Sequence, residues 1–324
     1  MHHNPRVVSW PSVSFIVPLF NHLQQTQQML ESLLAHLPAG LDYEVILADD
    51  ASSDGTPTWL TTLQHPRIKT LHNPVNQGYA ANNNAAARVA RGEVLALLNN
   101  DLLLQPNWLP PMLDLLWSPY AQVGVVGNVQ RRVVDGAIDH AGVDLNPQGQ
   151  LVHIDHVPGL EDRTSVTEAA RLAVTGACMV LRTTDFWACG GLDEQFRNGA
   201  EDMDLCFKLR QRGLRACVAL DSSVLHHVSL SRGRVSLNNE RNSYLLFRRW
   251  RRLLKQQLAA IWLELLVQRG PLPELVEGLI DLDLLRTPHL ASLRIAEALL
   301  ARQELRWQAL LGNPGSASTE GHAL

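Results

Sequence analysis

Residues 13–56 read VSFIVPLFNHLQQTQQMLESLLAHLPAGLDYEVILADDASSDGT, and the order of their patterns decides the architecture. An apolar run from Val13 to Val17 is closed by Pro18, after which Leu23, Leu30, Leu33, Leu34 and Leu37 recur at helical spacing. A second apolar run, Tyr43 to Ala48, ends in Asp49-Asp50 before a polar, glycine-bearing turn. Strand, helix and strand in that order predict a parallel pair joined by a right-handed crossover. Outward from it, a third strand at Ile68–Leu71 precedes an alanine-rich helix around Ala80–Ala90. A fourth at Val94–Leu98 ends in Asn99-Asn100-Asp101, and Pro106 suits the first turn of the next helix. The fold class is α/β, a mostly parallel sheet flanked by helices. In such sheets ligands bind outside the carboxyl ends of the strands, where both polar clusters fall.

The second half is less regular. Residues 127–170 predict irregular structure and short strands carrying His140, His153 and His156. A strand resumes at Ala177–Leu181, followed by a short helix near Thr184–Cys189, a Gly190-Gly191 turn, and a helix from Glu201 whose basic last turn stops at Gly213. A strand at Ala216–Ala219 and a short one running into His226 complete an α/β domain over 1–235. From 236 the pattern is helical, which predicts an appendage over 236–312 and a frayed tail over 313–324.

Composition removes several classes. With 46% apolar and 19% charged residues the 324-residue chain is neither mainly disordered nor disulfide-stapled. Its 28 Lys and Arg against 32 Asp and Glu, a formal charge of −4, give no global reason to coat nucleic acid. Cys178, Cys189, Cys206 and Cys217 form no CxxC pair, so reduced thiols are expected. The opening MHHNPRVVSWPS lacks the pattern of a secretory signal, and no run approaches the roughly 18 apolar residues of a membrane span, so a cytoplasmic location is expected.

Each candidate site residue has a plain structural reading beside its functional one. Asp49 can accept hydrogen bonds from a base or ribose, or form a turn. Asp101 can bind a hard divalent cation that bridges to phosphates, or be a turn acid. Glu201, Asp202 and Asp204 at a helix start can complement the helix dipole, or supply a general base. His226-His227 can ligate a metal, or be a surface pair. Their order along the chain is more telling than any one of them.

That order resembles the family 2 glycosyltransferases of the GT-A fold. The matching segments are VSFIVPLFN (13–21), YEVILADDASSDGT (43–56), NQGYAANNNAA (76–86), GEVLALLNND (92–101), TGACMVLR (175–182), GGLDEQF (190–196), EDMDLCFKLRQRG (201–213) and VLHH (224–227). Within that family the chain is similar to bacterial surface-polysaccharide transferases of the rhamnosyl type. The resemblance implies inverting transfer of a sugar from a nucleotide-diphosphate donor to a hydroxyl of a saccharide or lipid-linked saccharide, with Mn2+ or Mg2+ as cofactor. It implies nucleotide contacts at Pro18, Asn21, Asp49, Asn76, Gly78, Asn99 and Asn100, metal ligation by Asp101 and His226, and an acceptor-side turn at Gly190-Gly191. Asp202 is the implied base, with Glu201 the alternative. The first acid of the DxD motif is Asn99 here, a weaker ligand, and this motivates the competing reading of a catalytically weak sugar-nucleotide or glycan-binding protein. A dinucleotide oxidoreductase is disfavoured, because Pro18-Leu19-Phe20-Asn21 stands where GxGxxG would be.

Between Arg232 and Lys255, eight basic residues stand against the single acid Glu240, while Tyr244, Phe247, Trp250, Leu253 and Leu254 recur at helical spacing and the pattern continues through Leu258, Ile261, Trp262 and Leu265. Two expectations follow: a stripe that covers a core, or peripheral docking on an anionic membrane at the inner face of the plasma membrane.

Overall fold

The computed structural model describes residues 10–118, 122–160, 167–227, 237–270, 276 and 278–312. The expected frayed tail 313–324 and Arg232 and Arg234 of the basic stretch lie outside them. The chain divides into two compact units, residues 1–144 with 153–233, and residues 145–152 with 234–324.

In the first unit β1 (Val13–Leu19), α1 (Leu23–Ala35), β2 (Tyr43–Asp49), α2 (Thr56–Thr62), β3 (Ile68–His72), α3 (Tyr79–Val89) and β4 (Val94–Leu98) follow one another. β5 (Leu102–Leu104), α4 (Pro110–Leu116), β6 (Val123–Arg132), β7 (Ile138–His140), β8 (Val143–Leu145), β9 (Leu151–His153), β10 (Glu168–Arg171), β11 (Cys178–Arg182), α5 (Thr183–Ala188), α6 (Glu201–Gln211) and β12 (Arg215–His226) come next in the chain, Leu145 of β8 and Leu151 and Val152 of β9 being counted with the second unit. Among the described residues one mixed sheet holds ten strands along the path β10-β12-β6-β11-β4-β1-β2-β3, with β5 and β7 at its side. Its β3-β2-β1-β4 portion is parallel throughout. Strand β11 enters antiparallel between β4 and β6.

Both faces of the parallel portion are covered, which is why its strands read as unbroken apolar runs. Phe15, Val17, Val45, Leu47, Ala96 and Leu98 share one cluster with Met29 and Leu33 of α1, Leu60 of α2 and Met112 of α4. On the other face Ile16, Ile46, Leu95, Leu97 and Met179 are as completely buried.

Pro18 does not close β1, which runs on to Leu19 in register with β2. Val13 N–H donates toward β2, to Asp42 O. By the alternation of a strand, position 18 therefore directs its missing donor toward β4, where pairing has already ended at Ile16. Pro106 lies in a turn, and Pro110 starts α4 instead. The two strands expected at 216–219 and before His226 are one, β12, with a register shift between Ala219 and Ser223. Cys178, Cys189, Cys206 and Cys217 are all free thiols.

In the second unit α7 (Leu237–Arg269) lies against α8 (Pro288–Leu311), with a 3-10 turn at Leu282–Arg286. The apolar stripe of α7 is buried here: Trp250 and Trp262 are only 6% and 4% exposed. Trp307 of α8 stacks near Tyr244 and Phe247. Arg251 bonds Glu297 at 2.6 Å and Lys255 reaches the same carboxylate at 2.8 Å. Together they hold it well below the ordinary range, at about 2. Among the described residues no helix is long and apolar enough to cross a membrane.

Candidate active site

The polar residues expected at the site lie at the carboxyl ends of β1, β2 and β4, at the start of α6 and at the end of β12. Asp49 ends β2 with one oxygen accepting from Ser52 N (3.1 Å) and the other 3.5 Å from His72 Nδ1. Its neighbour Asp50 turns the opposite way. One carboxylate oxygen accepts from Asn73 Nδ2 and Gln77 N, the other from Gly78 N, all at 2.8 Å. Asn76 Nδ2 donates to Asp50 O at 3.2 Å. Asp50 therefore moulds the 73–78 loop, and Asn76 and Gly78 take part in that loop's own bonding.

Asn21 sits at φ 59°, a left-handed conformation that asparagine tolerates better than most residues. Its side-chain oxygen accepts from Ser53 N (2.7 Å) and Asp54 N (3.3 Å), and its own N–H donates to Ser52 Oγ (2.7 Å). The loops after β1 and β2 are thus clamped together. Asn100 Nδ2 ties this clamp to β4, donating to Asn21 O (3.3 Å) and Thr26 Oγ1 (2.9 Å). Asn99 N donates to Ala177 O at 2.8 Å, and the Asn99 side chain is half-buried.

Asp101 and His226 meet directly. Asp101 Oδ1 lies 3.2 Å from His226 Nε2, and His227 N donates to Asp101 O at 3.0 Å. Asp101 Oδ1 is shut off from solvent without a hydrogen-bond partner among the described residues. Such an oxygen is costly unless something else satisfies it. Two ligands at right angles on a hard divalent ion stand about 3 Å apart, so the pair fits one cation. Among the described residues no third His, Cys, Asp or Glu joins them.

At α6 the three acids separate by role. Asp204 is fully buried and paired with Lys208 at 2.8 Å. Glu201 is 6% exposed, accepts from Gly199 N at 2.6 Å, and has its pKa pushed up to about 7 by burial first and by the Asp202 charge second. Asp202 is half-buried and held by two backbone amides, Gly176 N (2.8 Å) and Met203 N (2.7 Å). A carboxylate oriented in this way is suited to taking a proton.

Gly190 and Gly191 turn the chain after α5 at φ 79° and 73°. A side chain at Gly191 would come within 2.7 Å of Asn84 Oδ1, so this approach requires glycine. Asn84 accepts from Leu192 N and donates to Leu192 O and Glu194 Oε1. The sequence marks Asp50 only as part of the Asp49-Asp50 cluster and gives Tyr79 and the buried Asn82-Asn83-Asn84 run of α3 no separate role. Three successive amides on an alanine-rich helix were the available signal, because buried amides need partners.

The glycosyl transferase family 2 model matches residues 14–164. An uncharacterized protein, y4gI of Sinorhizobium fredii, is 32% identical over 256 residues, 74% of this chain and 28% of that protein. The O-antigen biosynthesis protein RfbC of Myxococcus xanthus is 32% identical over 231 residues, 68% of this chain and 18% of that protein. The chain thus spans less than a third of either relative. Among solved structures, GalNAc-T7 with UDP, GalNAc and Mn2+ superposes with a TM-score of 0.64 at 16% identity, covering 95% of this chain and 59% of that one. The last likeness speaks for the fold alone.

Proposed function

Since the chain carries a family 2 glycosyltransferase domain on the GT-A fold, we propose that it transfers a sugar, with inversion, from a nucleotide-diphosphate donor to an acceptor hydroxyl in bacterial surface polysaccharide or glycolipid synthesis. The observation that carries the reading is the solvent-shielded Asp101 Oδ1, which takes no hydrogen bond from any described residue and stands 3.2 Å from the imidazole nitrogen Nε2 of His226. The O-antigen role of RfbC supports the pathway class.

In this reading Asp49 receives the nucleoside and Asn21, Asn76, Gly78 and Asn100 shape the loops around it. Asp101 and His226 would hold a divalent cation, with Asn99 adding a neutral oxygen; when bound, the ion offsets the charge gained by the leaving diphosphate. Asp202 takes the acceptor hydroxyl proton as attack proceeds, a contribution of roughly 10²- to 10⁴-fold. Attack opposite the leaving group with one base needs no covalent sugar intermediate, so the anomeric configuration inverts. Glu201, lifted to about 7, carries only about half its charge near pH 7 beside Asp202. The Gly190-Gly191 turn borders the acceptor, a saccharide or lipid-linked saccharide.

A thermal-shift screen against uridine, thymidine and guanosine diphosphate sugars, with and without Mn2+, tests it, because a ligand of the folded state raises the melting temperature. A manganese-dependent shift with diphosphate release on adding acceptor supports transfer. Binding without release assigns a sugar-nucleotide-binding protein, and no shift with any donor contradicts both.

A further inference from the structure

One backbone segment joins the two halves of the candidate chemistry. Ala177 O accepts from Asn99 N at 2.8 Å, on the donor side. One residue earlier, Gly176 N donates to Asp202 Oδ2 at 2.8 Å, on the base side. Between these two contacts Tyr79 Oη donates to Gly176 O, also at 2.8 Å. The main chain of Tyr79 is tied to the same region: its N–H donates to Asn198 Oδ1 (2.9 Å), in the left-handed run Asn198–Ala200 that leads into Glu201 and Asp202. Tyr79, the first residue of α3, thus grips the start of α6 at one end and the 176–177 segment at the other.

We propose that Tyr79 is a positioning residue for the transfer, setting the direction of the Asp202 carboxylate through Gly176; this rests on the reading of Asp202 as the base. A carboxylate must lie within hydrogen-bond reach of the proton it removes, and misplacement by about 1 Å can cost on the order of a hundredfold in rate. Two backbone amides aim Asp202, and the one on Gly176 comes from a residue with no side chain of its own to lock it. The tyrosine hydroxyl supplies that lock. The packing leaves no slack, because a methyl on Gly176 would stand 2.8 Å from Tyr79 Oη, closer than side chains tolerate. Burial, with the Glu201 and Asp202 charges adding to it, raises the phenol well above its ordinary range, so the hydroxyl stays a donor across the working pH range.

The test uses the full chain and whichever of UDP-glucose, dTDP-rhamnose and GDP-mannose it turns over, comparing Y79F, G176A, the double variant and D202N by kcat, donor KM and melting temperature. Tyr79→Phe keeps the ring and removes only the hydroxyl, so donor KM is expected within about twofold of wild type while kcat falls about tenfold or more. Gly176→Ala is expected to cost a similar factor. Because both lesions strike one contact, the double variant should be no slower than the slower single variant. Losses that multiply in the double variant overturn the proposal. So does wild-type kcat in Y79F beside an inactive D202N, an outcome that leaves the base reading standing. Wild-type kcat in D202N removes the base reading itself, and the role of Tyr79 with it.

Discussion

Asp101 Oδ1 and His226 Nε2 stand 3.2 Å apart at the ends of β4 and β12, and the carboxylate oxygen accepts no hydrogen bond from any described residue. A strand-end acid of this kind contributes little packing, so its role can be tested without unfolding the protein. Asp101→Ala is expected to abolish Mn2+-dependent binding of UDP or another nucleoside diphosphate, with the melting temperature little changed. His226→Ala should weaken the same binding less. Calorimetric titration with and without Mn2+ distinguishes these outcomes from unchanged affinity, which would sink the assignment.

Asp50 makes a contrasting case, since its carboxylate is satisfied entirely within the protein. Asp50→Ala would orphan Gln77 N and Gly78 N and take one of the two acceptors of Asn73 Nδ2, which keeps Asn82 Oδ1. A loss of about 2 kcal/mol in urea unfolding is expected, chiefly from the buried Gly78 N–H. Stability equal to wild type would mean that water readily replaces the carboxylate.

Glu201 gives a pH signature. Its ordinary value is 4.5 and burial lifts it to about 7 in the folded chain. A raised acid holds its proton more tightly when folded, so its stabilising contribution is complete below about pH 4.5 and is lost as pH rises through about 7. Glu201→Gln escapes that loss. Its unfolding free energy should exceed that of wild type by on the order of 2–3 kcal/mol at pH 8, and match it near pH 4.5. Parallel stability curves at both pH values would count against a buried, protonated Glu201.

For α7, burial of Trp250 and Trp262 leaves charge as the means of meeting a membrane. Arg252 is exposed, whereas Arg251 is engaged by Glu297 and Glu304. Sedimentation with anionic vesicles should therefore be released by salt and weakened by Arg252→Gln. Arg251→Gln should instead cost stability, by about 1 kcal/mol or less for a partly exposed pair. Salt-resistant binding would show that the aromatic stripe can leave its core.

The parallel portion of the sheet was legible because burial on both faces writes continuous apolar runs, as in Phe15–Val17, Val45–Ala48 and Val94–Leu98. Helix α2 and strand β5 were missed because elements of seven and three residues carry too little periodicity to stand out. The polar Asp221-Ser222-Ser223 interruption looked like a break between strands, but it marks the irregularity inside β12, where Ser222 Oγ donates to Trp108 O. Asp49 and Asp50 are indistinguishable by type. Only strand alternation, realised in three dimensions, turns one to Ser52 and His72 and the other to the 73–78 loop. The pairing of Asp101 with His226 depends on β12 lying against β5, a long-range contact that residue spacing does not encode.

The central claim is transfer with Asp202 as base, and the most direct measurement is single-turnover release of nucleoside diphosphate by wild type, D202N and E201Q with saturating donor, Mn2+ and acceptor. Asp202→Asn preserves size but cannot take the proton, so the rate should fall by roughly 10²- to 10⁴-fold with donor affinity kept, while Glu201→Gln should lose about tenfold or less. A D202N rate equal to wild type, or the larger loss in E201Q, would contradict the account.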